Sequence, residues 1–477
     1  MAEAVALPKS AKAGGLEREG RHIIVLRLLT GLTCLGYLAM AVGAMMFFQQ
    51  GDVLQNSFIA NQVALGHIQV YDYFAHTHRL RGTKTTMPPL SYLLDGAYLK
   101  LLLLLRLDPI APTPGRMFHY LFGHSGGPRF WLGMILIKLP FALTLVGAVP
   151  LVLMLVKDRL SSRVGLILWL TSPAVIVSVL MQTQNDIFPA VSTLGALVAF
   201  QRRRLIWGML LLGLAAAFKN YALLLVPLTA LLLSHRRPLD VMKLGLAGIL
   251  PPVLIVLPFW NSIFVQRVLQ AHDGSSILAA NGYERYPLHL FLVAYAALLL
   301  LAWIAARKPR QTEDIAALWV LTLLTVFLFS FWFSQWLVWL VPMVLLLAAG
   351  DMLLLGLWSS INVWLLVDNI VNSGSQLDGG MLLPIFGQSF GRHIWGKLYI
   401  YGWHLGMATH DAVFMFEMAL FAALAVRAIQ WLVARRSAVP QLIPLTKHPH
   451  WAALISVLGL VWMGPYVAVM FIQHYVH

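Results

Sequence analysis

Long apolar runs almost free of charge recur along nearly the whole chain, and this constrains the fold more than any other feature. They cover about 23–48, 131–156, 164–181, 187–201, 205–217, 220–234, 241–260, 288–306, 315–332, 335–350, 352–367, 412–433 and 451–472. A straight membrane-spanning helix needs about 20 apolar residues, so the pattern predicts an all-α polytopic membrane protein with about thirteen transmembrane helices. Only 11% of the residues are charged, against about 25% in an ordinary soluble domain. The first run is too long for the core of a signal peptide and is read as a retained span. The single cysteine, Cys34, excludes an intrachain disulfide and a cysteine metal cluster.

The formal net charge of +15 would suggest nucleic acid in a soluble chain, but here it reports topology. The segment 90–105 is apolar enough to span, and counting it as a span would invert everything after it. If it lies at the interface instead, the cytoplasmic side collects Lys9, Lys12, Arg18 and Arg21 of the tail. It also collects the loops with Lys157/Arg159/Arg163, Arg202/Arg203/Arg204, Arg236/Arg237/Lys243, Arg307/Lys308/Arg310 and Arg435/Arg436/Lys447. Short loops of the cytoplasmic side are enriched in Lys and Arg, so the interfacial reading is preferred. The chain then divides into a cytoplasmic tail (1–22), a transmembrane catalytic module (23–350) and a C-terminal transmembrane module (351–477). The catalytic module includes a long outer loop (50–130) with interfacial helices. The C-terminal module carries a second outer loop (368–410), and a third spans about 261–287. The material available for chemistry lies on the outer face. No nucleic-acid partner is expected.

The first outer loop opens with Gly51-Asp52, continues through a helix-like stretch to Gly66, and then reads His67-Ile68-Gln69-Val70-Tyr71-Asp72. A polar linker with Arg79 and Arg81 leads to Met87-Pro88-Pro89-Leu90-Ser91-Tyr92, where the Pro pair fixes an extended entry to a helix. A carboxylate at the membrane boundary under a folded loop suits a general base for a hydroxyl. Asp52 is equally placed to cap the helix beginning at Val53. Further along stand Lys138-Leu139-Pro140, Gln184-Asn185-Asp186, Ala217-Phe218-Lys219-Asn220 before Leu223-Leu224-Leu225-Val226-Pro227, and Ser334-Gln335-Trp336-Leu337-Val338-Trp339-Leu340-Val341-Pro342.

Taken in order, these stretches resemble the GT-C membrane glycosyltransferases that use polyprenyl-phosphate sugars as donors. Met87 replaces the Tyr usual before the Pro pair, Val53 an aromatic, and Asn220 a frequent Pro or Gln. The resemblance implies an inverting hexosyltransferase. Asp52 would take the proton of an acceptor hydroxyl as it attacks the sugar C1, and the lipid phosphate would leave on the opposite side. That geometry is comparable to an inverting glycosidase, with cations to hold the leaving phosphate. Lys219 and Lys138, with Arg79 and Arg81, are the candidates for donor-phosphate binding. Tyr71, Asp72, Gln184, Asn185, Gln335, Arg392 and His393 are the candidates for substrate binding. The Gln335 stretch favours mannose, with a glycolipid or glycan acceptor and a bacterial plasma membrane, N-terminus inside.

Each of these residues has a plainer reading. Lys219 at a span end can snorkel, and Lys138 within a span can reach the nearby surface, although an ionisable group there is a functional hypothesis by default. Arg79 and Arg81 suit anionic lipid heads, and the aromatics around Arg392-His393 suit an interfacial belt. His76/His78 and His448/His450 lack a third ligand, so no zinc site is expected. No cofactor is required by the sequence, and a divalent cation near Asp52 and Asp72 stays open. The rival functions are a lipid or glycolipid transporter or flippase, and a non-catalytic assembly subunit. A transporter would place ionisable groups at the bilayer midplane and show repeats, neither of which is evident.

Overall fold

The computed structural model describes residues 51–77, 85, 87–107, 128–157, 162–269, 288–307, 311–329, 334–348, 353–362 and 418–430, with helical parts of 24–45. Among the described residues all regular secondary structure is helical, with no strand. The helices that matter below are α1 (Gly51–Ala64), α2 (Val70–His76), α3 (Pro89–Leu104), α4 (Pro128–Gly147), α5 (Val149–Val156) and α6 (Ser162–Thr171). They continue as α7 (Ile187–Gln201), α8 (Leu205–Phe218), α9 (Leu225–Leu233), α10 (Pro238–Val256), α11 (Leu288–Ala305), α12 (Thr312–Phe329) and α13 (Val341–Ala348).

Two described helical stretches, Leu132–Val156 and Pro238–Phe259, are long and apolar enough to cross a bilayer by length and composition. The other apolar helices run 10–17 residues. The expected count of about thirteen spans is therefore not decided by the described residues. Two of the apolar runs change helix type along their length. The apolar run at 164–181 breaks at Ser172-Pro173 and resumes as a π-helix over Ile176–Met181. The run at 220–234 opens as a 3-10 turn, Asn220–Leu224, before α9.

α10 shows which surface these helices present. Leu239, Met242, Leu246, Ile249, Leu250, Val253, Leu254 and Leu257 are all exposed, while Leu244, Gly248 and Pro252 face the protein. A soluble helix turns its large apolar residues inward. Here the small residues make the close contact and the large ones face outward, as lipid demands. A Cβ placed on Gly213 of α8 would lie 2.2 Å from the Gly248 carbonyl oxygen. Pro252 removes the N–H that would otherwise bond that carbonyl, which lets the two backbones meet there.

Chain connectivity separates two ends of the bundle. Lys157, Arg202–Arg204, Arg236–Arg237 and Arg307 follow α5, α7, α9 and α11 at one end. The turn 182–186, Lys219 and Asn261 lie at the ends of the returning elements, and the first-loop helices pack against that opposite end. The cationic and polar turns are thus segregated along the helix axes.

The first-loop helices form as their sequence directs. Gly66, at φ 104°, ends α1, with the Gly66 and His67 N–H groups bonded back to Val63 and Gln62, the hydrogen-bond pattern of a Schellman stop. Pro89 starts α3 after an extended Pro88. α3 lies across α1 at Gly96, where an added Cβ would come within 2.6 Å of Val63. α2 is clamped to the segment after α10. The Asn261 amide donates to both oxygens of Asp72, at 2.9 and 3.0 Å, and Gln69 donates to the Pro258 carbonyl.

Candidate active site

The turn joining the π-helix to α7 is the most unusual piece of the chain. Gln182, Thr183, Gln184, Asn185 and Asp186 are five consecutive polar residues, each at most 3% exposed. Thr183 sits at φ 52°, a left-handed conformation that strains a β-branched residue. Strain of this kind is retained where surroundings over-determine it, and it clusters at functional sites.

Lys138 supports this turn. Its ammonium, on the buried face of α4, donates to the carbonyls of Leu180 and Met181 at the end of the π-helix and of Ala44 in the first apolar run, at 3.2, 3.4 and 2.9 Å. A cation at a helix C-terminus satisfies carbonyls that the helix itself leaves open. Two residues on, Pro140 cannot donate to Leu136, and the Tyr98 hydroxyl of α3 takes that carbonyl at 2.7 Å. The Lys138-Leu139-Pro140 stretch thus fastens α4 to the buried turn and to the first-loop helix.

Asp186 is completely buried at the N-terminus of α7, where the helix dipole favours its charge. Trp339 Nε1 donates to its Oδ1 at 2.7 Å, and Lys219 Nζ lies 3.4 Å from the same oxygen. Its Oδ2 has no hydrogen-bond partner. Trp339 is held in turn by stacking on Tyr221 at 3.7 Å and on Trp336 at 4.8 Å. Lys219 is 19% exposed, on an extended residue between α8 and the 3-10 turn. Phe218 before it stacks on Phe188 and accepts a bond from Ser91 of α3 through its carbonyl. Lys219 is thereby held beside a buried carboxylate with its approach only partly covered.

A second carboxylate reaches the turn from above. Asp95 of α3 is 9% exposed and is hydrogen-bonded to the Asn185 side chain, whose amide also contacts Met87 Sδ at 3.5 Å. Burial pushes the Asp95 carboxyl up to about 7, and the bond from Asn185 only partly offsets this.

The residues expected from sequence fall into three groups. Lys219, Lys138, Gln184 and Asn185 all belong to this cluster. Tyr71 and Asp72 do not join it. The Tyr71 hydroxyl donates to the Met87 carbonyl at 2.7 Å under the Phe259 and Phe264 rings. Burial and neighbouring Tyr92 hold that hydroxyl's pKa well above the usual tyrosine value. Asp72 is taken by Asn261. In this structure both residues fasten the first loop. Asp52 is itself helical, within α1 (Gly51–Ala64), so the backbone does not place it as the N-cap of a helix beginning at Val53. The Asp52 and Gln335 side chains, and Arg79, Arg81, Arg392 and His393, lie outside the described residues.

Asp95, Trp339 and the full weight of Asp186 escaped the sequence reading. Asp95 carries a signal in retrospect, because a lone carboxylate in the apolar stretch Leu93-Leu94-Asp95-Gly96 requires a partner. Among the described residues, no three His, Cys, Asp or Glu side chains converge as a metal site would require.

No protein-family model and no curated protein matches the sequence. Among solved structures, the chain is similar to ArnT from Cupriavidus metallidurans in the apo state, at 15% identity and a TM-score of 0.43, over 91% of this chain and 77% of that one.

Proposed function

We propose that the chain is a GT-C-type glycosyltransferase that moves a sugar from a polyprenyl-phosphate donor to a lipid-linked or glycan acceptor at the outer face of a bacterial plasma membrane. One observation carries this reading. The stretches that resemble this enzyme class are scattered through the sequence, yet they meet at one end of the bundle. Asn185 touches Met87, Ser91 bonds Phe218, Lys138 bonds Leu180 and Met181, and Lys219 and Trp339 converge on Asp186.

The chemistry of the cluster fits such a transfer. Lys219, partly exposed, supplies positive charge for a leaving phosphate, a good leaving group that needs no general acid. Asp186, fixed by Trp339, supplies a negative field for an oxocarbenium-like sugar. Asp52, on α1, is the proposed base that takes the acceptor hydroxyl proton, with inversion at C1. α7 has 15 residues and rises about 22 Å, less than the roughly 30 Å hydrocarbon core. A turn at its end suits a donor whose phosphate stays at the membrane boundary while its tail remains in lipid. Mannose is the preferred sugar, from the Gln335 stretch.

The experiment is a structure of the full chain with a short-chain polyprenyl phosphate, such as farnesyl phosphate, in a nanodisc. The phosphate is expected beside Lys219, at the mouth of the Asp186 turn. A phosphate bound elsewhere contradicts the site, and a lipid lying lengthwise through the bundle favours the flippase.

A further inference from the structure

Beside the Asp186 cluster lies a small cavity of about 20 Å³ between α1, α3, α4 and the polar turn, room for about one water-sized group. Its polar lining comprises Ser57, Tyr98, whose hydroxyl is bonded to the Leu136 carbonyl, and three further side chains: Asn56 of α1, Asp95 of α3 and Thr183 of the strained turn. The last three are 8%, 9% and 2% exposed. Each of these has an atom without a hydrogen-bond partner: Asn56 Nδ2, Asp95 Oδ1 and Thr183 Oγ1. Every such atom costs about 1–3 kcal/mol when buried unpaired, a cost that a partner held in the cavity would remove. The rest of the wall is largely apolar, including Val53, Leu99, Ile137 and Phe141.

The three atoms are chemically complementary to one kind of group. Asn56 Nδ2 only donates, Asp95 Oδ1 accepts when ionised, and Thr183 Oγ1 does either. A hydroxyl oxygen accepts from the first, donates to the second and bonds the third. A cation would meet the Asn56 donor, an anion would meet the Asp95 carboxylate, and a methyl group would leave all three unsatisfied. Asn56 stands one helical turn beyond Asp52 on α1, and Asp95 is hydrogen-bonded to Asn185, the residue preceding Asp186. The cavity therefore sits between the elements that carry the proposed base and the proposed electrostatic carboxylate.

We propose that Asn56, Asp95 and Thr183 form a subsite for a single hydroxyl, either a hydroxyl of the sugar substrate or a water that orders the site. The subsite itself stands on geometry. Its role in choosing among sugars rests on the glycosyl-transfer reading above. Asp95 is then a specificity residue that reads one hydroxyl, and a sugar lacking that hydroxyl is rejected because buried polar atoms stay unpaired.

Two measurements test this and fail separately. The first is a structure of the full chain in nanodiscs, fine enough to show ordered waters, without and with farnesyl-phosphate mannose. An ordered oxygen bonded to both Asp95 Oδ1 and Asn56 Nδ2 is expected. A water retained in both structures identifies water as the occupant, and its replacement by a sugar oxygen identifies the substrate. The absence of any such oxygen from both overturns the subsite. This arm decides even if the wild type transfers no sugar, an outcome that would remove the enzymatic reading alone.

The second measurement is transfer kinetics for wild type, Asp95→Leu, Asp95→Asn and Thr183→Val. If the sugar occupies the site, Asp95→Leu raises KM roughly 10- to 100-fold, with less change in kcat, and Asp95→Asn falls between. KM within twofold of wild type in folded Asp95→Leu excludes a substrate hydroxyl. If Asp95→Leu does not fold, Thr183→Val, close in shape, decides by the same criterion.

Discussion

Replacing Trp339 with Phe tests how Asp186 is held. The indole N–H makes the shortest bond to this carboxylate, 2.7 Å, whereas Lys219 at 3.4 Å is beyond the usual charge-assisted length. The other carboxylate oxygen has no partner. Phe keeps an aromatic face against Tyr221, 3.7 Å away in the stack, and removes only the donor and one ring. A hydrogen bond to a buried charged group contributes about 1.5–3 kcal/mol, so thermal unfolding of Trp339→Phe should show a loss of that order. Transfer should fall about 10- to 150-fold if Asp186 acts in the reaction. The mutant cycle with Asp186→Asn separates this bond from mere loss of ring volume, and it should give a coupling energy of 1 kcal/mol or more by estimate. Effects that add within about 0.5 kcal/mol, or a Trp339→Phe protein with wild-type stability and rate, would show that the indole N–H does not hold Asp186.

Three further outcomes follow from the packing and the buried charges. Gly96→Ala sets a methyl 2.6 Å from Val63 between α3 and α1 and should lower stability by about 1–3 kcal/mol, whereas Gly245→Ala, with nothing within 4 Å, should not; thermal unfolding of both checks this. Lys138→Met leaves the carbonyls of Leu180, Met181 and Ala44 without that donor, at about 1–3 kcal/mol each, partly offset because no charge is then buried. A net loss of about 2–4 kcal/mol is expected on that balance, and a Lys138→Met protein as stable as wild type would show that these bonds do not set the geometry. The Asp95 carboxyl is raised from 3.8 to about 7, so the folded state binds the proton more tightly than the unfolded one. Its contribution favours folding at low pH and declines as pH rises from about 4 to about 7, by an order-of-magnitude 4 kcal/mol. Asp95→Asn should flatten that decline in the pH dependence of the melting temperature; an unchanged profile would contradict the burial of an ionisable Asp95.

Much of the helical frame was legible because lipid imposes one rule on long apolar runs. The α7 and α8 boundaries follow the runs at 187–201 and 205–217, and the helix after Pro88-Pro89 begins where the Pro pair requires. Less legible was where a continuous apolar run ceases to be one helix, as at Ser172-Pro173 and Asn220, because hydropathy does not distinguish α, π and 3-10 turns. The polar turn at 184–186, Lys138 and Lys219 stood out because charge and amides are rare among these runs. Partners remote in sequence did not. Asp72 with Asn261, 189 residues apart, and Trp339 with Asp186, 153 apart, are fixed by tertiary packing and leave no local pattern. For that reason Tyr71 and Asp72, read as substrate ligands, are engaged within the loop clamp.

Sugar transfer at the Asp186 end of the bundle is measured directly with the purified chain and a radiolabelled polyprenyl-phosphate sugar, with Asp52→Asn beside it. Wild type should transfer with inversion at C1, and Asp52→Asn should be slower by about 100-fold or more, the usual contribution of a general base. Turnover by Asp52→Asn equal to wild type would remove Asp52 as the base. No transfer by wild type from a panel of polyprenyl-phosphate hexoses and pentoses would contradict the function itself.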